Sequence, residues 1–133
     1  MLNKYKRPVI WVDCDAIIQQ DPQLLSTLNE YDFAFHPRLR LNGTTELLGG
    51  TMYFNYTVTA FKLLDKWIEL VNANRTKYRL DQSYLSEAVS QIHELSAFHL
   101  PATYCQIFDI MKDAGKPVIE HFQASRKYKQ YVK

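Results

Sequence analysis

The stretch Pro8-Val9-Ile10-Trp11-Val12-Asp13-Cys14-Asp15 joins a short apolar run to two carboxylates that are separated by one residue. Its β-branched and aromatic side chains predict a strand, and an uninterrupted apolar run is typical of a strand buried on both faces. Side chains at the end of such a strand lie at the edge of an α/β sheet where ligands bind. Asp13 and Asp15 can point to the same side, and two such oxygen ligands suit Mg²⁺ or Mn²⁺. An acidic turn after a strand explains the Asp-x-Asp pattern equally well.

The composition is that of one globular domain spanning residues 1–133. Hydrophobic residues make up 47% and charged residues 23%, which excludes a disordered chain. A net charge of +2 gives no reason to expect a nucleic-acid partner. The sequence contains neither an apolar run that could span a bilayer nor a signal-peptide core. Cys14 and Cys105 are too few for a disulfide framework, so we expect reduced thiols in a cytoplasmic protein.

Strand and helix patterns alternate along the rest of the chain. The predicted elements are a strand at 31–36 stopped by Pro37, a polar loop at 37–46, a strand at 47–55, a helix at 58–72, a helix beginning at 81–82, a strand at 94–100 and a final strand at 117–122. This order predicts an α/β fold with a mixed β-sheet flanked by helices.

Two of these segments carry further expectations. In the helix at 58–72, the spacing of Phe61, Leu64, Ile68 and Val71 predicts one buried face. The strand at 47–55 contains the pair Gly49-Gly50, and glycines within a strand indicate either a bulge or the close approach of a ligand or another backbone.

Two further polar features follow the Asp-x-Asp motif. Asp81-Gln82 opens a helix, and His121-Phe122 ends the last strand. Each has an ordinary structural explanation, because Asp is a common helix N-cap and a histidine at a strand end is often structural. In order and context, however, the three features resemble those of GT-A glycosyltransferases. The similarity is greatest with the retaining branch that includes glycogenin and the bacterial lipopolysaccharide galactosyltransferases.

The resemblance implies roles for particular residues. Asp13, Asp15 and His121 would bind Mn²⁺ (or Mg²⁺), and Asp81 and Gln82 would form the catalytic donor-sugar pocket. Substrate-binding roles would fall to two short segments, whose residues are Gly49, Gly50, Thr51, Ser125, Arg126 and Lys127. The donor would be a nucleotide-diphospho-sugar such as a UDP-sugar, and the acceptor a glycan, a lipid or a protein.

The resemblance also implies that the chain corresponds to the C-terminal portion of the GT-A fold. Family members place a nucleotide-binding half before the Asp-x-Asp strand, whereas seven residues precede Pro8 here. We therefore expect weak or absent transferase activity from this chain alone. A homo-oligomer or a partner chain could supply the missing half.

Two alternatives remain open from the sequence. A phosphatase of the haloacid-dehalogenase type also begins with an apolar strand and Asp-x-Asp, with the first Asp as nucleophile. Its later Thr or Ser has no counterpart here, because the next strand closes with Phe35-His36-Pro37, and no Asp-Asp pair follows. The second alternative is a non-catalytic module that binds sugar nucleotides or glycans, or that completes the sheet of a partner.

Overall fold

Strands and helices alternate in the computed structural model, which describes residues 1–77 and 81–123. The strands are β1 (Val9–Val12), β2 (Ala16–Ile18), β3 (Phe33–Leu39), β4 (Thr45–Phe54), β5 (Ala97–His99), β6 (Gln106–Ile107) and β7 (Ile119–His121). The α-helices are α1 (Leu2–Tyr5), α2 (Val58–Ala73) and α3 (Asp81–Gln91), and 3₁₀ turns span Gln23–Ser26, Ala102–Tyr104 and Lys112–Ala114. The α/β class is confirmed. Over the described residues no helix has the length and apolar character needed to cross a membrane.

The strands form two small mixed sheets rather than the single sheet that we expected. The larger has the order β1-β4-β3-β5, with β3 and β5 parallel and the other pairs antiparallel. The smaller has the order β2-β7-β6, in which β2 is antiparallel and β6 parallel to β7. The chain passes from one sheet to the other directly after β1, through residues 13–15.

Strand β1 is present as predicted, but it is not buried on both faces. It lies at the edge of the larger sheet, where it pairs with β4 alone among the described strands. Ile10 is 45% exposed and Trp11 is 48% exposed. The apolar run alone cannot distinguish a central strand from an edge strand, because the difference depends on which distant segments pair with it.

Strand β3 continues through Pro37, where we expected it to stop. Pro37 pairs with Leu47 of β4, and β3 ends at Leu39. The short β5 pairs with residues 33–35 only, so one side of β3 has no strand beside Pro37 among the described residues. Proline is tolerated at such a place because no ladder hydrogen bond needs its missing N–H. The expected loop is correspondingly shorter, since β4 begins at Thr45.

Helix α2 agrees in extent with the prediction, and Thr57 caps it by accepting a hydrogen bond from the Ala60 N–H at 3.1 Å. The predicted buried face is wrong at Ile68, which is 57% exposed. Ala60 and Leu63 are instead fully buried. The buried stripe is thus rotated around the helix axis from the predicted one.

Two apolar cores enclose the larger sheet. On one face Met52 and Phe54 of β4 pack with Leu63 of α2 and Leu85 of α3. On the other face a second core joins the two sheets, with Tyr53 of β4 as one of its members. The alternation along β4 follows from the period of two in a strand. Residues 13–15 and the end of β7 are thereby held where the two sheets meet.

Candidate metal centre

Asp13, Asp15 and His121 come together at the junction of the two sheets. Each offers a ligand atom, and the three atoms lie within 4.8 Å of one another. The strand pairing explains how residues so distant in sequence meet, because Ala16 of β2 is directly opposite His121 of β7. His121 Nδ1 lies 3.9 Å from Asp15 Oδ1.

The imidazole of His121 packs against β4 on the side opposite the carboxylates. Its Nε2 lies 2.8 Å from Thr51 Oγ1, and the side chain of Thr51 is completely buried. A Cβ at Gly50 would stand 2.9 Å from both Nδ1 and Cε1 of the ring, so the ring occupies the space that the glycine leaves. When Nε2 donates to the threonine hydroxyl, Nδ1 keeps its lone pair on the side of the carboxylates. A fixed tautomer of this kind is what a metal-ligating histidine requires.

The surroundings of His121 also favour its neutral form. The residue is 3% exposed, and burial lowers the pKa of its imidazole below 6.5. The carboxylates of Asp13 and Asp15 act in the opposite direction, but burial has the larger effect. Only the neutral imidazole can donate a lone pair to a metal ion.

Asp13 has two contacts that orient it. Its backbone N–H donates to Gly50 O at 2.9 Å, which extends the pairing of β1 with β4 by one residue. The indole N–H of Trp11 donates to Asp13 Oδ1 at 2.9 Å. We did not assign Trp11 a role at the site from the sequence. The available signal was its position two residues before Asp13, on the same face of the strand.

A cavity of about 570 Å³ opens over the three residues. Four carboxylates line it, from Asp13, Asp15, Glu46 and Asp81, whereas Arg38 provides the single lysine or arginine side chain among the described lining residues. Arg38 is itself paired with Glu46, at 3.5 Å between Nη1 and Oε2. The size is that of a small-molecule site, and the excess of negative charge favours a divalent cation.

The predicted donor-sugar residues line the same cavity. Gln82 Oε1 accepts a hydrogen bond from the Gly49 N–H at 2.9 Å, and its Nε2 donates to Glu46 Oε1 at 3.4 Å. The indole N–H of Trp67 donates to the backbone carbonyl of Asp81 at 3.0 Å. This contact ties α2 to the first residue of α3 and fixes the position of Asp81 and Gln82 relative to the sheet.

The remaining predicted substrate-binding residues fall in three different positions. Gly49 and Gly50 line the cavity. Thr51 lies behind His121, where its hydroxyl contacts the imidazole and is buried away from solvent. Three basic or hydroxyl residues assigned to phosphate binding lie outside the described residues: Ser125, Arg126 and Lys127.

A second cavity, of about 550 Å³, adjoins the first. The two share four lining residues, which are Asp13, Gly49, Asp81 and Gln82. Beyond this polar end the walls of the second cavity are mainly apolar and include the indoles of Trp11 and Trp67. Together they form a cleft with an acidic end and an apolar end.

Comparisons of the chain with protein-family models, with curated proteins and with solved structures gave no match. What the site does must therefore be inferred from its donor atoms, its charge and its shape. Two carboxylates and a neutral imidazole are a donor set suited to a divalent transition metal.

Proposed function

We propose that this chain is a metal-dependent glycosyltransferase domain of the GT-A type, which binds a nucleotide-diphospho-sugar over Asp13, Asp15 and His121. One observation carries the proposal, namely the convergence of these three side chains within 4.8 Å. The burial of the imidazole and its contact with Thr51 give further support, because both favour a histidine that acts as a ligand.

The donor set fits a divalent cation. Asp13 and Asp15 offer hard oxygen atoms and His121 offers a borderline nitrogen, a combination that suits Mn²⁺ better than Ca²⁺, with Mg²⁺ as the second choice. The chemistry supplied by such an ion is neutralisation of the diphosphate that leaves the sugar.

In this proposal Asp81 and Gln82 hold the donor sugar. The exposed carboxylate of Asp81 accepts hydrogen bonds from sugar hydroxyls. The amide of Gln82, oriented by Gly49 and Glu46, lies beside the anomeric carbon. The acceptor is a glycan, a lipid or a protein. We assign no general base, because an oxygen of the leaving phosphate can take the acceptor's proton.

Titration of Mn²⁺ and UDP together, followed by calorimetry, tests the proposal. We expect UDP binding that requires Mn²⁺ in the wild type and is lost in Asp15→Ala. The matched control is Asp65→Ala, which removes an exposed aspartate on α2 and should bind as the wild type does. Absence of Mn²⁺-dependent UDP binding in the wild type would refute the proposal.

A second candidate is a non-catalytic module that binds the sugar nucleotide or completes a partner's sheet. The open edge of β1 and its exposed Ile10 favour it. The two candidates differ in turnover, which is measured as release of UDP from UDP-glucose or UDP-galactose. Because we expect weak or absent activity from this chain alone, the decisive result is release of UDP that requires Mn²⁺, which would exclude the non-catalytic module.

A further inference from the structure

The outer edge of β1 presents unpaired backbone groups. In the antiparallel pairing with β4, Asp13 N–H bonds to Gly50 O, and the register places Trp11 opposite Met52 and Val9 opposite Phe54. Because hydrogen-bonded pairs alternate along an antiparallel ladder, Val9 and Trp11 direct their backbone groups towards β4. Ile10 and Val12 therefore direct theirs away from it. Within residues 1–77 and 81–123, β1 has no strand on that side.

We propose that two copies of this chain associate by antiparallel pairing of β1 with β1 across a two-fold axis. We choose the register that pairs all outward-facing groups of the two strands with each other, which puts Ile10 of each copy opposite Val12 of the other. Trp11 then meets its own counterpart at the axis. About four backbone hydrogen bonds would form, and the two larger sheets would become one continuous sheet.

The side chains around this edge support an apolar interface. Val9–Val12 contains no charged residue, no proline and no bulge, which are common protections of edge strands that remain unpaired, and Pro8 lies just before the strand. Ile10 and Trp11 are about half exposed, Tyr5 of neighbouring α1 is 47% exposed, and Met1, which precedes α1, is 71% exposed; Trp11 and Met1 also line the second cavity. Pairing would bury apolar surface from both copies, including an aromatic pair at the axis.

The charges flanking β1 select the antiparallel arrangement. Lys4, Lys6 and Arg7 precede the strand, whereas Asp13 and Asp15 follow it. Antiparallel pairing puts the basic segment of one copy beside the acidic segment of the other, and parallel pairing would put like charges together. Arg7 of the second copy then reaches the rim of the acidic cavity. A role for that arginine in phosphate binding rests on the proposed function, but the association itself does not.

Proline substitution at Ile10 tests whether the outer edge of β1 pairs with a second copy. In Ile10→Pro an outward N–H is lost while the ladder to β4 is unaffected, and edge strands tolerate proline. The control Ile10→Thr keeps the N–H. By light scattering we expect the wild type and Ile10→Thr to show a mass twice that of the 15.6 kDa chain, and Ile10→Pro, with an unchanged circular dichroism spectrum, to be monomeric. A wild type that is monomeric up to about 1 mM, or a folded Ile10→Pro dimer, would overturn the proposal.

A disulfide tests the register. In a Cys14→Ser background, Trp11→Cys places two thiols opposite each other at the axis, at a separation of about 4.5 Å between Cα atoms. We expect oxidation to give a covalent dimer, whereas Ile68→Cys on exposed α2 should stay monomeric under the same conditions. Equal cross-linking of both variants, or of neither, would contradict the register.

Charge reversal tests the pairing of the flanking segments. Arg7→Glu should weaken association about tenfold, and Lys112→Glu, on an exposed turn away from β1, should leave it unchanged. Association that is indifferent to Arg7→Glu would contradict the antiparallel charge pairing.

Discussion

Adding one methyl group at Gly50 should disturb the proposed centre more than adding one at its neighbour Gly49. The new Cβ of Gly50→Ala would lie 2.9 Å from Nδ1 and Cε1 of His121, and 3.3 Å from Nε2. Favourable contacts between such atoms begin near 3.5 Å, so the ring must move by about 0.6 Å. It has little room to do so, because His121 is 3% exposed and bonded to Thr51 at 2.8 Å.

Gly50→Ala should destabilise the folded chain in two ways. Overpacking a filled site destabilises by about 1–3 kcal/mol, and weakening the contact with Thr51 adds about 0.5–1.5 kcal/mol. Displacement of a ligand from its supported position typically lowers metal affinity by about 10–100-fold. We therefore expect Gly50→Ala to lose about 2–4 kcal/mol in the free energy of unfolding and at least about tenfold in Mn²⁺ affinity.

Gly49→Ala is the matched control. Its Cβ would be 3.4 Å from Gln82 Oε1, a side-chain atom that can move. We therefore expect the free energy of unfolding to change by no more than about 1 kcal/mol. Urea denaturation measures the free energy of unfolding, and calorimetry measures the Mn²⁺ affinity. A Gly50→Ala chain that matches the wild type in both quantities, or a Gly49→Ala chain that is the more strongly affected, would contradict this prediction.

Three further predictions concern the same region. Thr51→Val removes the hydroxyl that contacts His121 and should lower Mn²⁺ affinity about tenfold by calorimetry, whereas Thr51→Ser should restore it. Burial raises the pKa of the Cys105 thiol from 9.0 to about 11, while Cys14 is exposed, so a thiol reagent at pH 8 should modify one cysteine rapidly in the native chain and both in urea. An aryl phosphate should not be hydrolysed with Mg²⁺ present, and turnover that disappears in Asp13→Asn would instead support the phosphatase alternative.

Much of the element order could be predicted from the sequence. The apolar run before Asp13, the helical period of α2 and the Asp81-Gln82 helix start are local signals, and each element lies where its pattern indicated. The grouping of Asp13, Asp15 and His121 was expected only from family resemblance, since no local pattern connects β1 to β7. Their roles in metal and substrate binding remain predictions.

What could not be predicted depends on long-range pairing. The exposure of Ile10 follows from the edge position of β1, and the extension of β3 through Pro37 follows from the shortness of β5. The contact between Thr51 and His121 joins residues 70 apart in sequence. In α2, both the predicted stripe and the observed one have helical spacing, and packing against the sheet decides that Leu63 rather than Ile68 is buried.

A crystal grown with MnCl₂ and UDP provides the most direct test of the central claim, through anomalous scattering at the manganese edge. We predict one anomalous peak at about 2.0–2.3 Å from carboxylate oxygens of Asp13 and Asp15 and from Nδ1 of His121, with diphosphate oxygens completing its coordination. A peak bound elsewhere on the chain, or His121 still buried against Thr51 with no ion beside it, would contradict the account.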